Sequence, residues 1–439
     1  MSSVHRCTCE CLSFRAAWRA GWRVQVEGLA GGQILPQALD IAKIAHIANI
    51  GWIRGAPRVI AARLPQRVIH LMRTILTSTL ITAALFASIS AGSAVQQQPP
   101  LRLAIAGLVH GHVGGFLRGA QGRQDVQIVG VFDPDRTLLE GYAKQYKIPD
   151  RVLFTDLAAM LAKTNPEAVA SFTNTADHPV VVEAAASRKI HVMMEKPLAL
   201  GNADAQRIKR AAERGGIQVL VNFETTWYPS HGSMWSLIKE RGELGEIRKM
   251  VAMDGHSGPK AIKVQAEFLD WLRDPVRNGA GALYDFGCYG ANLMTWMMDN
   301  QRPLAVTATT QQFQPETYPK VDDEATILVE YPKAQGIIQA SWNWPFNRKD
   351  FEVYGQRGWA IATGGNNLRV ALPGQSDHAV TPDPRPPDQK DSISHLLAVV
   401  RGTARPNALS SLENNMIATE ILDAARESAR TRQRVALGK

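Results

Sequence analysis

The sequence predicts an α/β chain with two domains, a parallel-sheet domain first and an α+β domain with a mainly antiparallel sheet second. Three observations carry this. Apolar runs alternate with helix-period segments over residues 101–221, and such a series implies parallel pairing with right-handed crossovers. After Asn222 the alternation stops, and from Ala305 short β-like runs follow one another with Gly and Pro turns between them, as in an antiparallel sheet. Between the two patterns, the apolar run Ile190-His191-Val192-Met193-Met194 ends in Glu195-Lys196-Pro197. Proline removes a backbone donor and stops the strand. Two charges at a buried strand end need partners, and a lysine leaving the carboxyl end of a parallel strand points at the crevice where open α/β sheets bind ligands.

The elements follow in order. Leu101–Ala106 reads as the first strand and Val126–Phe132 as the second. Residues 135–146 read as a helix, 152–154 as a short strand and 156–162 as a helix. A strand at 168–172 leads to the turn Thr173-Asn174-Thr175, and a helix follows over 177–188 with His178 at its start. The strand ending in Glu195, a helix at 203–214 and a strand at 217–221 complete the first domain, set at 101–222. The second domain, 223–439, opens with one or two helices after Trp227-Tyr228-Pro229, then a strand at 247–253 and an amphipathic helix within 260–273. Gly279-Ala280-Gly281 leads into one helix carrying Asp285, Tyr289 and Asn292. Strands are expected at Ala305–Gln311, 325–330, 336–342, 351–354 and 359–362, a proline-rich loop at 382–387, and closing helices at 393–400 and 412–429.

The first 100 residues read differently. Met72-Arg73-Thr74, an apolar stretch over 75–89 and the small residues Ser90-Ala91-Gly92-Ser93-Ala94 have the form of a secretory signal, cleaved after Ala94. The apolar stretch is short and rich in Ser and Thr, whereas a membrane span needs ~20 apolar residues. A signal peptide acts only at an N-terminus, so residues 1–71 read as a non-native upstream extension, 72–94 as the signal and 95–100 as a linker. Cys7-Thr8-Cys9-Glu10-Cys11 lacks the C-x-x-C spacing of a metal site, and no metal is expected. Of the 49 basic and 40 acidic residues, ten and three lie in 1–94, which leaves 39 and 37, a net of +2. The basic balance of the whole chain therefore gives no reason to expect nucleic acid. Cys288 alone remains after residue 94, which excludes an internal disulfide there.

Gly107 ends the first strand and lets the backbone turn towards a helix N-terminus, where amides and the dipole favour phosphate. The dinucleotide fingerprint is incomplete, because Val109 and His112 stand at its second and third glycine positions. His110 and His112 either touch a pyrophosphate or start a helix facing solvent. Asp133, 26 residues after Gly107, stands where a carboxylate binds an adenosine ribose, or caps a helix before Pro134. A carboxylate there favours NAD over NADP, and Arg136 keeps NADP open. Asp285 and Tyr289 at i, i+4 share one helix face, with Asn292 nearly on it.

Glu195-Lys196-Pro197 resembles the signature tripeptide of the Gfo/Idh/MocA oxidoreductases. Ile105-Ala106-Gly107, Val131-Phe132-Asp133 and the stretch from Gly281 to Tyr289 agree with that family in order and spacing, and the match runs from about Leu101 to the C-terminus. The closest motif match is the glucose-fructose oxidoreductase branch, which has Tyr at the position of Tyr289 with Asp four before and Asn three after. The resemblance implies an N-terminal Rossmann dinucleotide-binding domain and a second-domain sheet often used for subunit contacts. It implies hydride transfer between NAD and a sugar or polyol hydroxyl, with Thr173, Asn174, His178 and Glu195 on the cofactor side. Lys196 would orient the hydroxyl, Tyr289 would be the acid/base, and Asp285 and Asn292 would meet substrate. A tyrosine of ordinary pKa ~10 needs a nearby cation near neutrality, a charge Lys196 would supply. Expected besides are a periplasmic or secreted location, a carbohydrate-like small molecule as partner and a homo-oligomer. Two alternatives stay open: an NAD-dependent glycosidase of the same superfamily and a non-catalytic sugar-binding protein.

Overall fold

A computed structural model describes residues 98–438. The leader, the C-x-C run and the cleavage site fall outside the described residues.

The first sheet has six strands, β1 (Leu101–Ala106), β2 (Val126–Phe132), β3 (Leu153–Phe154), β4 (Ala168–Ser171), β5 (His191–Glu195) and β6 (Val219–Asn222). Their order is β3-β2-β1-β4-β5-β6, and every pair is parallel. β4 is buried throughout and β1 at every residue but Arg102, which is why they read as nearly continuous apolar runs rather than alternating ones. The crossovers carry α1 (Val113–Ala120), α2 (Arg136–Tyr146), α3 (Leu157–Thr164), α4 (His178–Ala186) and α5 (Asn202–Gly215). Asp135 caps α2 by accepting from Thr137 N and Leu138 N, and Asp156 caps α3 by accepting from Ala159 N.

The second half opens with α6 (Pro229–Trp235) and β7 (Ile247–Gly255), then α7 (Ala266–Leu272), α8 (Pro275–Asn278), α9 (Ala282–Asp285) and α10 (Gly287–Met297). There follow β8 (Ala305–Gln311), β9 (Glu324–Glu330), β10 (Gln335–Ser341), β11 (Arg348–Gly355), β12 (Trp359–Thr363), β13 (Asn367–Ala371) and β14 (His378–Val380). α11 (Ser392–Val400), α12 (Leu412–Thr431) and β15 (Val435–Ala436) close the chain. The nine strands run β14-β13-β12-β11-β7-β10-β9-β8-β15, antiparallel except for β7 with β10. β9 alternates buried and half-buried residues, with Ala325, Ile327 and Val329 inward. That face receives α10, whose every residue is buried, because it lies between the sheet and α12.

Three expectations are corrected. The helix expected within 260–273 covers only Ala266–Leu272, because Gly258 and Lys263 take positive φ (93° and 56°) and turn the chain before it. The single helix expected to carry Asp285, Tyr289 and Asn292 is two, broken at Phe286. The Lys196 ammonium takes the Asp285 carbonyl at 3.0 Å, the acceptor a continuous helix would give to Tyr289 N–H, and that amide bonds Phe286 O instead. In addition, α11 packs on the first sheet: its Ile393, Leu396 and Val399 share an apolar cluster with Leu101, Ile105 and Phe116. Finally, β13, β14 and β15 were not expected. All are five residues or fewer, and β14 and β15 form the two edges of the sheet.

Candidate active site

The carboxyl ends of β1, β4 and β5 meet α7, α9, α10 and the ends of β7 and β11. Lys196 stands at this junction, 5% exposed. Its Nζ lies 2.6 Å from Asp285 Oδ1, and Asp285 Oδ2 accepts from Trp342 Nε1 at 2.9 Å. Burial opposes charge on both partners, but each supplies the other's counter-ion. Asp285 is held below the ordinary carboxylate range, with His256 and Trp342 assisting, and Lys196 is held above the ordinary lysine value.

Tyr289 is fully buried, its ring between two ammonium groups: Lys196 Nζ at 5.2 Å and Lys349 Nζ at 4.8 Å from the centroid. Lys349 also pairs with Glu224, which accepts from Tyr228 Oη at 2.6 Å. Lys196, Asp285, Tyr289 and Lys349, with His112, His256 and Phe268, line a cavity of about 220 Å³. The expectation that Lys196 lowers the Tyr289 pKa is corrected. Burial, then Glu224, Cys288 and Asp285, push the phenol well above its ordinary value, and the charge of Lys196 is matched by Asp285. Burial and the acidic neighbours therefore favour the protonated phenol at Tyr289.

Asn292 is corrected too. Its Nδ2 donates to Leu409 O at 2.8 Å and to Asn415 Oδ1 at 3.2 Å, away from the cavity. The break at Phe286 is the cause, since residues 285 and 292 no longer lie on one helix.

The dinucleotide side is built as follows. Gly107 has φ 85°, and a Cβ there would sit 2.7 Å from Thr173 N, so only glycine fits. Asp133 is buried, with Oδ2 accepting from Leu108 N and Oδ1 from Asp135 N. It thus ties the turn to the end of β2, while the helix cap expected of it falls to Asp135. Burial first, and Asp135 and Glu267 nearby, raise its pKa. Val109 O accepts from Trp271 Nε1 at 3.0 Å, and Phe268 of α7 packs on His110 with ring centroids 4.7 Å apart. Thr173 bonds Ser171 through its hydroxyl at 3.2 Å, and Asn174 Nδ2 donates to Asp177 at 2.7 Å. His178 Nδ1 faces Leu198 O at 3.2 Å. Glu195 turns to His112, Nδ1 to Oε2 at 2.9 Å, and to Asn222 at 2.8 Å.

His110 Nε2, Asn174 Oδ1, Thr175 Oγ1 and His178 Nε2 are buried without a hydrogen-bond partner. Buried polar atoms of this kind call for a ligand or water. Their position at the ends of β1 and β4 suits the polar half of a dinucleotide, and the close approach at Gly107 suits its phosphate turn. The ligand atoms of His110, His112 and Glu195 also lie within 4.8 Å of one another, the spacing of a metal-ligand set that the sequence did not suggest.

Sequence reasoning missed Lys349, Glu224, His256 and Trp342. Each comes from a different loop or strand. The one local signal was Asp254-Gly255-His256, a polar break after the apolar run Met250-Val251-Ala252-Met253.

Two family models match the chain. One, described as an oxidoreductase family with an NAD-binding Rossmann fold, covers residues 101–223, and the other, a GFO/IDH/MocA C-terminal domain, covers 236–361. Among curated proteins, trans-1,2-dihydrobenzene-1,2-diol dehydrogenase of Xenopus tropicalis is 24% identical over 224 residues, 49% of this chain and 61% of that one. The chain thus matches about six-tenths of the length of such relatives. D-apiose dehydrogenase of Rhizobium rhizogenes is 24% identical over 257 residues, 56% of this chain and 69% of that one. Among solved structures, aldose-aldose oxidoreductase of Caulobacter crescentus, complexed with glycerol, superposes with a TM-score of 0.66 at 21% identity, covering 77% of this chain and 100% of that one. An inositol dehydrogenase homolog of Azotobacter vinelandii, complexed with NAD+, gives 0.67 at 21% identity over 78% and 98%. These two share the fold. Together the two family models span most of residues 101–361, with the tripeptide at Lys196 and the Asp285/Tyr289 stretch inside them, and the chain belongs to the Gfo/Idh/MocA oxidoreductase family.

Proposed function

We propose that the protein is a nicotinamide-dependent oxidoreductase acting on a hydroxyl of a sugar or polyol. The observation that carries this reading is the buried Lys196–Asp285 pair beside Tyr289, at the carboxyl ends of the parallel strands and open to one cavity. When bound, NAD accepts the hydride of the C–H bond. Lys196 orients the hydroxyl, Asp285 fixes Lys196, and Tyr289 exchanges the hydroxyl proton. A cavity of this size, with Lys196, Asp285, Tyr289 and Lys349 in its lining, accommodates a monosaccharide-like molecule, and relatives named for a diol, for D-apiose and for inositol support that class. Asp133 favours NAD over NADP, since a carboxylate at this strand end repels a 2′-phosphate.

The test is to release and identify any nucleotide that copurifies with the protein, and to screen aldoses and polyols for NADH formation. Absence of nicotinamide binding together with absence of turnover on the panel would sink the reading.

Two further parts belong to the proposal. The leader at 72–94 supports export, and the exported product should then begin near Val95. Recovery of a product retaining Trp52 would overturn this. The outward face of the second sheet carries half-buried Val251, Met253, Leu328, Ile337 and Ile361, which supports a homo-oligomer formed through that face. Light scattering gives the assembly state, and a monomer would exclude it. Among the described residues no helix is long and apolar enough to cross a membrane.

A further inference from the structure

Oxidation of a hydroxyl releases a proton at every turnover, and the two groups assigned to the chemistry are poorly placed to let it go. Lys196 is already charged and bonded to Asp285, and Tyr289 is buried. The turn that precedes α1 holds a better exit. Glu195 is 1% exposed, yet its Oε2 lies 2.9 Å from His112 Nδ1 and 4.0 Å from His110 Nε2, and its Oε1 accepts from Asn222 at 2.8 Å. Burial disfavours its charge, but His112, Asn222 and Lys196 hold its carboxyl below the ordinary range. An ionised carboxylate aimed at one ring nitrogen orients a histidine and fixes its tautomer. With Nδ1 turned to Glu195, Nε2 of His112 is the nitrogen left for exchange.

The position of His112 gives that nitrogen a use. It lines the 220 Å³ cavity together with Lys196, Asp285, Tyr289, His256 and Lys349. It also lines a second, open cleft of about 520 Å³, where Glu195, Glu224 and Lys390 stand. Only Gly111 and His112 belong to both, and the His112 side chain is 43% exposed. Facing it are Glu195 from β5, His110 from its own turn, and Glu224 from the turn after β6. The cluster with His110 suits proton transfer better than a cation. His110 Nδ1 accepts the His112 amide at 3.3 Å, which puts the proton of the neutral ring on Nε2 and leaves no lone pair there for a metal.

We propose that His112, positioned by Glu195, carries the substrate proton between the cavity and solvent. The inference rests on the oxidoreductase reading above. In the oxidation the C–H bond breaks and its electron pair leaves as hydride to the nicotinamide cofactor. The O–H bond breaks, the carbonyl forms, and the proton ends on His112 Nε2 and then in the cleft. Reduction runs the same path backwards.

The test uses the purified protein and four variants. With the best sugar or polyol of the panel, His112→Asn and His112→Gln should lower kcat about 10²–10⁴-fold with KM little changed. Glu195→Gln, which keeps the side chain's size, should lower kcat by a smaller factor with KM little changed, and Glu195→Asp should restore most of it. His112 variants with wild-type kcat overturn the proposal, as does a Glu195→Gln with wild-type kcat. One equivalent of zinc or manganese bound by the wild type and lost in His112→Asn would also overturn it, in favour of a metal site. A wild-type protein that binds neither NAD nor NADH and turns over nothing on the panel sinks the underlying reading, whatever the variants show.

Discussion

Glu195 and Lys196 are neighbours in the chain and serve two different regions. Lys196 reaches into the second half of the molecule, where Asp285 receives it and Trp342 completes the carboxylate. Glu195 reaches back to the first half, to His112 and Asn222, near His110 Nε2, Thr175 Oγ1 and His178 Nε2 that have no partner. In the first region the protein itself satisfies the Lys196–Asp285 pair, whereas the second keeps ring nitrogens and a hydroxyl without a partner. A preorganised charge pair holds a reacting group in place without reorganising. Unpartnered donors mark where a ligand completes the structure. One dipeptide thus joins the part that holds chemistry still to the part that accepts a cofactor.

The strongest way to break this contrast is to open the first region. Lys196→Met leaves Asp285 buried without its cation. Removing one partner of a buried pair costs about 3–5 kcal/mol, and turnover should fall about 10²–10⁴-fold as well. Denaturant unfolding with and without a second change, Asp285→Leu, separates the two losses. The double variant should regain much of the stability and none of the activity. The pH dependence follows in sign. Asp285 is held low and Lys196 high, so the pair stabilises the fold from about pH 4 to about pH 10. Its contribution is lost below that window as Asp285 protonates and above it as Lys196 deprotonates. In Lys196→Met the unpaired Asp285 stays protonated in the fold above the unfolded pKa of ~3.9, so the deficit relative to wild type should grow as pH rises from about 4, and a deficit that shrinks over that range would contradict the assignment.

Tyr289→Phe tests the same corner without opening it. The ring keeps its packing against Phe223 and the two ammonium groups. Its hydroxyl has no hydrogen-bonding protein partner among the described residues, so stability should change by no more than about 0.5 kcal/mol. Turnover should fall about 10²–10⁴-fold if the phenol exchanges the proton. Steady-state kinetics beside thermal unfolding reads both. Unchanged kcat would remove Tyr289 from the chemistry and leave His112 as the remaining proton carrier.

The two regions differed in how much of them could be read beforehand. The parallel sheet was legible because doubly buried strands such as Ala168–Ser171 are apolar throughout and end in turn residues. Lys196, Asp285 and Tyr289 were legible through short motifs at strand and helix ends. What escaped was set by distant contacts. The helix break at Phe286 depends on a lysine 90 residues upstream taking a carbonyl, which no local pattern records. Lys349 reaches the cavity from β11, next to Asp254 of β7 in the sheet register, and register between strands so far apart is decided by the whole fold.

Asn292 sharpens the contrast from outside the site. It looked like a third member of the Asp285/Tyr289 face, but it joins α10 to Leu409 and Asn415. Asn292→Ala should cost about 1–3 kcal/mol, because buried acceptors lose their donor, with kcat and KM unchanged. A large loss of turnover at unchanged stability would return Asn292 to the substrate side.

The smallest expected effect concerns Asp254, the buried carboxyl beside the Tyr289 corner. It is 0% exposed, and neither of its oxygens has a hydrogen-bond partner. Burial pushes its pKa well above the ordinary value, Lys349 opposes, and Asp350 adds to the rise. The folded protein therefore keeps Asp254 protonated over a range where the unfolded chain has ionised it. Above the unfolded pKa of ~3.9 the folded state binds more protons, so this residue makes the fold less stable as pH rises, up to its folded pKa. Asp254→Asn keeps the shape and cannot ionise. Its stability relative to wild type should increase steadily from about pH 4 upwards, while near pH 4 the two should differ by less than about 1 kcal/mol. Urea unfolding at several pH values measures the difference directly. A variant that loses stability as pH rises would show that Asp254 is ionised in the fold, with Lys349 as its counter-ion, and that the corner around Tyr289 carries one more negative charge than described above.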